Sequence, residues 1–219
     1  MLTVLDQMIE VCDFLKKEVC DKIMLYVPPE GDVIDDAYIA NPVMGHPEIF
    51  PLTFDSNVGE GEYDENGNPI TTVRKQAPAI CVRITEGSEL IDGRERNLTI
   101  NLLLQSWNPG IFTKGGLYIP HDDDTAFAKK SYTGETKSDY IRNFDGWKES
   151  MTFLDIVIRA IEKADIIGDM QVVHDEPISF GPWLYEGEFI RWYPYWLSTI
   201  TFKLRSYQRP LKISDALLD

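Results

Sequence analysis

Basic charge is scarce in this chain: 21 Lys or Arg stand against 36 Asp or Glu in 219 residues, a net charge of −15. A conventional nucleic-acid-binding domain needs a basic patch to neutralise phosphates, so the balance argues against that class. Cysteine is scarce too. Cys12, Cys20 and Cys81 form an odd set with no CxxC spacing. They read as reduced thiols used as small packing groups, not as a disulfide framework or a zinc site. Long apolar runs are missing: Leu102–Leu104 and Ile156–Ile158 are far too short to span a bilayer. Asp6 and Glu10 interrupt the first apolar pattern and no cationic stretch precedes it, so synthesis in the cytosol is expected. Catalytic signatures are lacking as well. There is no GxSxG, no Walker-type loop and no dinucleotide fingerprint. Gly59-Glu60-Gly61 lies in an acidic stretch that repels phosphate. His46, His121 and His174 are scattered and do not follow HExxH spacing. No enzyme activity, metal or cofactor is expected.

What is present suits a packed core: 43% of residues are hydrophobic and 11% aromatic. The length fits one domain, residues 1–219, with loop insertions at about 28–76 and 108–145. Leu5, Met8, Ile9, Cys12, Leu15, Val19 and Ile23 recur at three- and four-residue spacing, which predicts an amphipathic helix from Thr3 to Ile23. Pro28-Pro29 stops it. Residues 28–76 read as an irregular excursion, broken by prolines and by the turn cluster Glu65-Asn66-Gly67-Asn68-Pro69. Residues 30–75 hold ten acids against Arg74 and Lys75, a local net charge of −8. Ile80, Val82 and Ile84, then Leu98, Ile100, Leu102 and Leu104, alternate with other residues as half-buried strands do. An antiparallel hairpin over Ala79–Thr85 and Asn97–Gln105 is expected, turning within Gly87–Arg94. Residues 108–145 form a second long loop. Asp145 is the expected N-cap of a helix over Trp147–Lys163 with the stripe Trp147, Met151, Leu154, Ile158 and Ile161, and Gly168 falls past its end. The last strand alternates Ile200, Phe202 and Leu204 with Thr199, Thr201 and Lys203, and Met170–Phe180 supplies its partner. The fold class is α+β: an antiparallel sheet packed by two amphipathic helices, with long loop insertions.

Three groups of residues invite a functional reading. His121-Asp122-Asp123-Asp124 is oxygen-rich, as calcium or magnesium sites are. It lacks DxDxDG spacing and a bidentate Glu, so an exposed acidic loop is favoured. Met44, Ile49, Phe50, Leu52 and Phe54 are apolar residues inside an irregular segment. They need cover, from a neighbouring subunit or as a lid on the domain's own core. Trp183, Tyr185, Phe189, Trp192, Tyr193, Tyr195 and Trp196 concentrate aromatics as a sugar platform does, though strand spacing favours packing. Paired carboxylates for glycoside chemistry carry no signal where acids are so abundant.

The order of Leu2–Ile23, Ala79–Gln105, Trp147–Lys163 and Gln171–Arg205 resembles the tail terminator proteins of tailed bacteriophages and phage-tail-like particles. The flavour of Leu98–Trp107 and Pro194–Arg205 carries the rest of the resemblance, which covers about two-thirds of the chain. The loops at 28–76 and 108–145 exceed what a minimal terminator needs. The resemblance implies a structural virion protein of the tail-neck region, made in the host cytoplasm. It implies a homo-oligomer, a hexameric ring, on the end of the tail tube. That ring stops tube, and in a contractile tail sheath, polymerisation and offers a docking surface to the head connector. DNA passes through the lumen without specific binding, and no membrane is involved. On this reading Met44, Ile49, Phe50, Leu52 and Phe54 are the candidate intersubunit or tube contacts. Asp122, Asp123 and Asp124 are the candidate lumen patch, and exposed sheet edges add strands between subunits. The alternatives are another neck, head–tail joining or baseplate component, and a carbohydrate-binding module or glycoside-active enzyme.

Overall fold

The computed structural model describes residues 3–29, 43–54, 77–90, 95–110, 146–185, 188–189 and 194–207. In chain order the elements are α1 (Val4–Glu18) with a 3₁₀ turn (Cys20–Lys22), β1 (Leu25–Tyr26), β2 (Met44–Gly45), β3 (Glu48–Pro51), β4 (Ala79–Glu89) and β5 (Glu95–Trp107). Then come α2 (Trp147–Glu162), β6 (Ile166–Ile167), β7 (Met170–Val172), β8 (Ser179–Pro182), β9 (Leu184–Tyr185), β10 (Glu188–Phe189) and β11 (Tyr195–Tyr207). The class is α+β, two helices on a mixed, mostly antiparallel, curled sheet.

The sheet is built on β5 and β11, which pair antiparallel without a register break from Tyr195↔Trp107 to Tyr207↔Glu95. β4 joins β5 as the expected hairpin, with a register shift between Ile84 and Glu86. The turn is later than the sequence suggests: Gly87 lies within β4, and Leu90 N–H bonds Glu95 O at 3.0 Å. β3 adds to β4 in parallel. On the far edge of β11, β8 and β7 lie one after the other, so Met170–Phe180 does contribute partners to β11, as β7 and the start of β8.

The alternation decides which face is buried. Ile80 and Val82 of β4, Leu98, Ile100, Leu102 and Leu104 of β5, and Ile200, Phe202 and Leu204 of β11 line the helix-covered face. They meet Met8, Val11 and Leu15 of α1 and Phe153, Leu154, Val157, Ile158 and Ile161 of α2. No helix covers the opposite face among the described residues.

Both helices form where expected, and Met8, Leu15, Val19 and Ile23 of the first stripe and Leu154, Ile158 and Ile161 of the second are buried, but each buried face is shifted to one side of its stripe. In α1 the buried residues are Gln7, Met8, Val11 and Leu15, while Leu5 and Ile9 are exposed. In α2 they include Glu149, Ser150, Phe153 and Val157, while Trp147 is exposed and Met151 is half-buried. Thr3 starts α1 with a capping box: its hydroxyl accepts Asp6 N–H at 3.1 Å, and its own N–H bonds Asp6 Oδ2 at 2.8 Å. The Thr3 hydroxyl also donates to Asp6 Oδ2 at 2.7 Å, and this bond, with that from the Thr3 N–H, lowers the Asp6 carboxyl below the usual range. Gly146 stands at the N-cap of α2 with a helical backbone and no side-chain cap. The expected cap, Asp145, lies outside the described residues. Gly168 does not close the helix. It opens the β6–β7 turn at φ 57, where a Cβ would collide with Glu10.

Gln7 explains why a polar residue occupies the core side of α1. Its amide donates to Ser206 Oγ at 2.8 Å and accepts from Arg96 at 3.0 Å, and Arg96 pairs with Glu89 at 2.6 Å. One chain of bonds thus fastens α1 to the ends of β11, β5 and β4.

Truncation separates the two versions of the helix stripes. Phe153→Ala costs about 3–5 kcal/mol of folding stability in urea unfolding. Leu5→Ala, on the exposed flank, stays within about 0.5 kcal/mol.

Candidate functional site

The helix-free face is divided. Toward the end where β5 begins it is polar: Asn97, Thr99 and Asn101 of β5 stand beside Thr199, Thr201, Lys203 and Arg205 of β11. These groups largely satisfy one another. Asn101 Nδ2 donates to Thr199 Oγ1 at 2.9 Å and Thr201 Oγ1 at 3.0 Å, Lys203 pairs with Glu176 at 2.5 Å, and Arg205 lies 3.4 Å from Glu95. Such a surface has most of its polar groups already bonded to one another.

Toward the other end the same face is apolar. Phe54, Ala79, Cys81 and Leu103 form a small second core with Phe50, Trp183 and Leu197 packed on it. This is where the candidate contact residues separate. Phe50 and Phe54 come together, rings 5.8 Å apart and edge to face, with Phe54 only 8% exposed. Ile49, on the opposite side of β3, packs against the main core. Both phenylalanines and Ile49 therefore cover the chain's own cores. Met44 is half-buried in β2. Leu52 alone of the five is open, 65% exposed at a positive φ of 69. Asp122, Asp123 and Asp124 lie outside the described residues.

The end of the sheet with this second core is also where the excursions are rooted. β4 begins, β5 ends and β11 begins there, in the row Ala79↔Gln105↔Leu197. Segment 30–42 is rooted on Val27 and Val43, whose backbones bond at 3.0 Å. Segment 111–145 leaves from Gly110 and returns at Gly146, segment 55–76 returns at Ala77, and segment 190–193 returns at Pro194. Leu90, Glu95 and Tyr207 mark the opposite end.

Asn108 is the hub of this end. Its N–H donates to Pro194 O at 3.0 Å, its carbonyl accepts the Trp196 indole N–H at 2.7 Å, and its Oδ1 accepts Gly110 N–H at 2.7 Å. Its Nδ2 donates to Glu149 Oε2. Glu149, on the first turn of α2, is 1% exposed and also accepts the Tyr26 backbone N–H. Burial raises its carboxyl to about 8, against the pull of those two donors. Gly146 is required here: a Cβ would stand 1.7 Å from Asn108 O and 2.7 Å from Trp196 Nε1. The Trp196 contact shows this aromatic to be a structural anchor. Trp192 and Tyr193 lie outside the described residues.

The remaining polar candidates have ordinary structural partners. His46 Nδ1 contacts the carbonyls of Cys20 and Ile23 at 2.9 and 2.8 Å, tying β2 to the end of the first helix. His174 is exposed, 3.6 Å from Asp165. No group of three or more His, Cys, Asp or Glu able to hold a metal occurs among the described residues. All three cysteines are free. Burial pushes Cys20 up to about 12 and Cys12 up to about 11, and it raises Cys81.

No family model matches the chain, and no curated protein sequence matches it. Sequence reasoning missed Asn108 and Glu149 altogether. The signal for Glu149 is positional: it falls four residues before Phe153, on the buried side of a helix whose other positions there are apolar.

Two outcomes follow from this geometry. Gly146→Ala lowers stability by about 1–3 kcal/mol in thermal or urea unfolding, because the added methyl forces the Asn108–Trp196 contact apart. Native protein at pH 8 reacts slowly with a thiol reagent, and all three cysteines react at once in denaturant, as an absorbance assay of thiol release reads directly.

Proposed function

We propose that this chain is a structural assembly protein of the tail-terminator kind, which forms a ring on the end of a phage or phage-like tail tube and stops its growth. The observation that carries the reading is the gathering of four excursion roots at one end of a sheet whose strands and helices are fully committed to folding. A frame with one loop-bearing end suits a part that meets other parts along an axis. The element order behind the resemblance, helix, hairpin, helix, final strand, is present as α1, β4–β5, α2 and β11.

The edges of the sheet refine the mechanism. β3 bonds inward through Glu48 N–H and Leu52 N–H, which leaves Ile49 and Pro51 facing outward. β8 bonds inward through Gly181, next to Trp183 N–H, and leaves Phe180 and Pro182 outward. A proline at an outward position offers no donor, so β3 and β8 are poor templates for strand addition. Subunits of the ring meet through side chains and loops, with exposed Leu52 and Phe180 at opposite edges as one heterologous pair of contacts. Segment 30–42 carries four acids and no base. An acidic surface turned to the channel lets DNA pass without sticking. The tube, the sheath of a contractile tail and the head connector are the partners on this reading.

The test is native mass spectrometry and negative-stain imaging of the full chain, alone and with short polymerised tail tubes. Sixfold rings, or density capping one tube end with elongation halted, are expected. A chain that stays monomeric and ignores tube ends overturns the reading. Replacing residues 111–145 by a short Gly-Ser linker leaves cooperative unfolding in place, because Gly110 and Gly146 both abut Asn108. The same variant loses capping.

A further inference from the structure

We propose that Glu149 is a proton-controlled latch for the loop-bearing end: as a neutral acid it holds the roots at Tyr26–Val43 and Gly110–Gly146 together, and on ionisation it lets them part while the sheet stays folded. The latch stands on the geometry of the node, whether or not the chain caps a tail tube.

Glu149 is the residue on which three otherwise separate pieces converge. β1 presents the Tyr26 backbone N–H, the extension of β5 presents the Asn108 amide, and α2 supplies the carboxyl itself. β11 reaches the node through the Trp196 indole on Asn108 O. What faces Glu149 from these elements is polar but uncharged. On its own helix the neighbouring charged residue is Lys148, which is half-buried, and Ser150 on the other side is buried. Among the described residues the groups that act on the carboxyl are the Asn108 amide and the Tyr26 N–H, and burial outweighs these two donors. Among the described residues Oε1 has no hydrogen-bond partner, so a charge placed there meets no described group to receive it.

Gln7, the other polar residue at the core of the fold, makes the contrast. Its partners Ser206 and Arg96 satisfy both ends of a neutral amide. Glu149 differs in being ionisable, in sitting at the base of two excursions, and in meeting the central sheet only at its end, through Asn108 beyond the last β5–β11 pair. Its ionisation therefore strains the roots and not the β5–β11 ladder.

The direction with pH follows from linkage. The folded form keeps a proton that the unfolded chain gives up near its ordinary value of 4.5, and releases it only near 8. Stability contributed by the neutral acid is complete below about 4.5, falls as pH rises through that window, and is level above it. The folding constant loses up to about tenfold per pH unit from this group.

The experiment compares the full-length chain with Glu149→Gln, which mimics the neutral acid, in urea unfolding from pH 5.5 to 9. Amide exchange, corrected for intrinsic rates, is followed in parallel. The wild-type folding constant is expected to fall relative to the variant by up to about tenfold per pH unit between 5.5 and 8. Protection at Gly110, Glu149 and Val27 is expected to be lost at pH 9 in the wild type and kept in the variant, while β5 and β11 amides stay protected in both. Parallel pH profiles for the two proteins overturn the latch. So does a loss of protection that is uniform across the sheet. Should Glu149→Gln fail to fold, the carboxyl resonance of Glu149 in carbon-13-labelled wild type decides. A midpoint near 8 supports the latch, and one near 4.5 overturns it.

Discussion

Everything in this fold hangs from the ladder between β5 and β11. Thirteen residues of each strand face thirteen of the other, and the pairing runs through without a bulge. Side chains alternate with a period of two, so a slip of one residue turns Ile200, Phe202 and Leu204 to the polar side and exposes the floor on which both helices rest. The ladder also sets where things happen along its length. One end receives Gln7 through Ser206 and Arg96, and the other receives α2 through Asn108 and Trp196. A long register shared by two strands is thus what allows the ends of the sheet to be chemically different.

The two ends are held by polar networks of unequal robustness. At the α1 end each of the network's groups is matched: an amide between a hydroxyl and a guanidinium, which is itself paired with a carboxylate. At the loop-bearing end a carboxyl is buried, among the described residues, against amide donors alone. Burying an ionisable group without a counter-charge costs more than burying a satisfied amide. The weaker network lies at the roots of the long excursions, and the stronger one where the chain needs only a stable corner.

The strands were legible in the sequence because alternation is local. β4, β5 and β11 each declare a buried face within seven or more residues, and a glycine-bearing turn supplies their connection. The helices were legible as helices, and most of each stripe with them, but not the borders of the buried face. Met8, Ile9, Val11 and Cys12 crowd a broad apolar arc, and two stripes through it fit helical spacing equally well; only the sheet beneath chooses Met8 and Val11. Gln7 and Glu149 were invisible for a different reason. A polar residue enters a core only when a partner far along the chain satisfies it, and Ser206 and Asn108 lie 199 and 41 residues away. Of the apolar residues singled out between 43 and 54, β3 sorts the set by parity: Ile49 goes to one core and Phe50 to the other. A four-residue strand flanked by prolines gives too little pattern to announce that in advance.

Edges, faces and roots together restrict how such a chain meets a partner. The helix-covered face is spent on the main core, and the polar part of the open face is spent on its own hydrogen bonds. The apolar part is spent on Phe50, Phe54 and Trp183. Prolines blunt the outward positions of β3 and β8. What the described frame leaves for contact is scattered apolar side chains at the edges and on the outer sides of the helices, and the end from which the excursions depart. Scattered contacts give an interface little area per subunit, so the larger share of any binding energy falls to the loop-bearing end. Binding there acts on the same roots that Asn108 and Glu149 gather. The rigidity of that node therefore sets how much order a partner must impose, and hence how much of its contact energy survives as affinity.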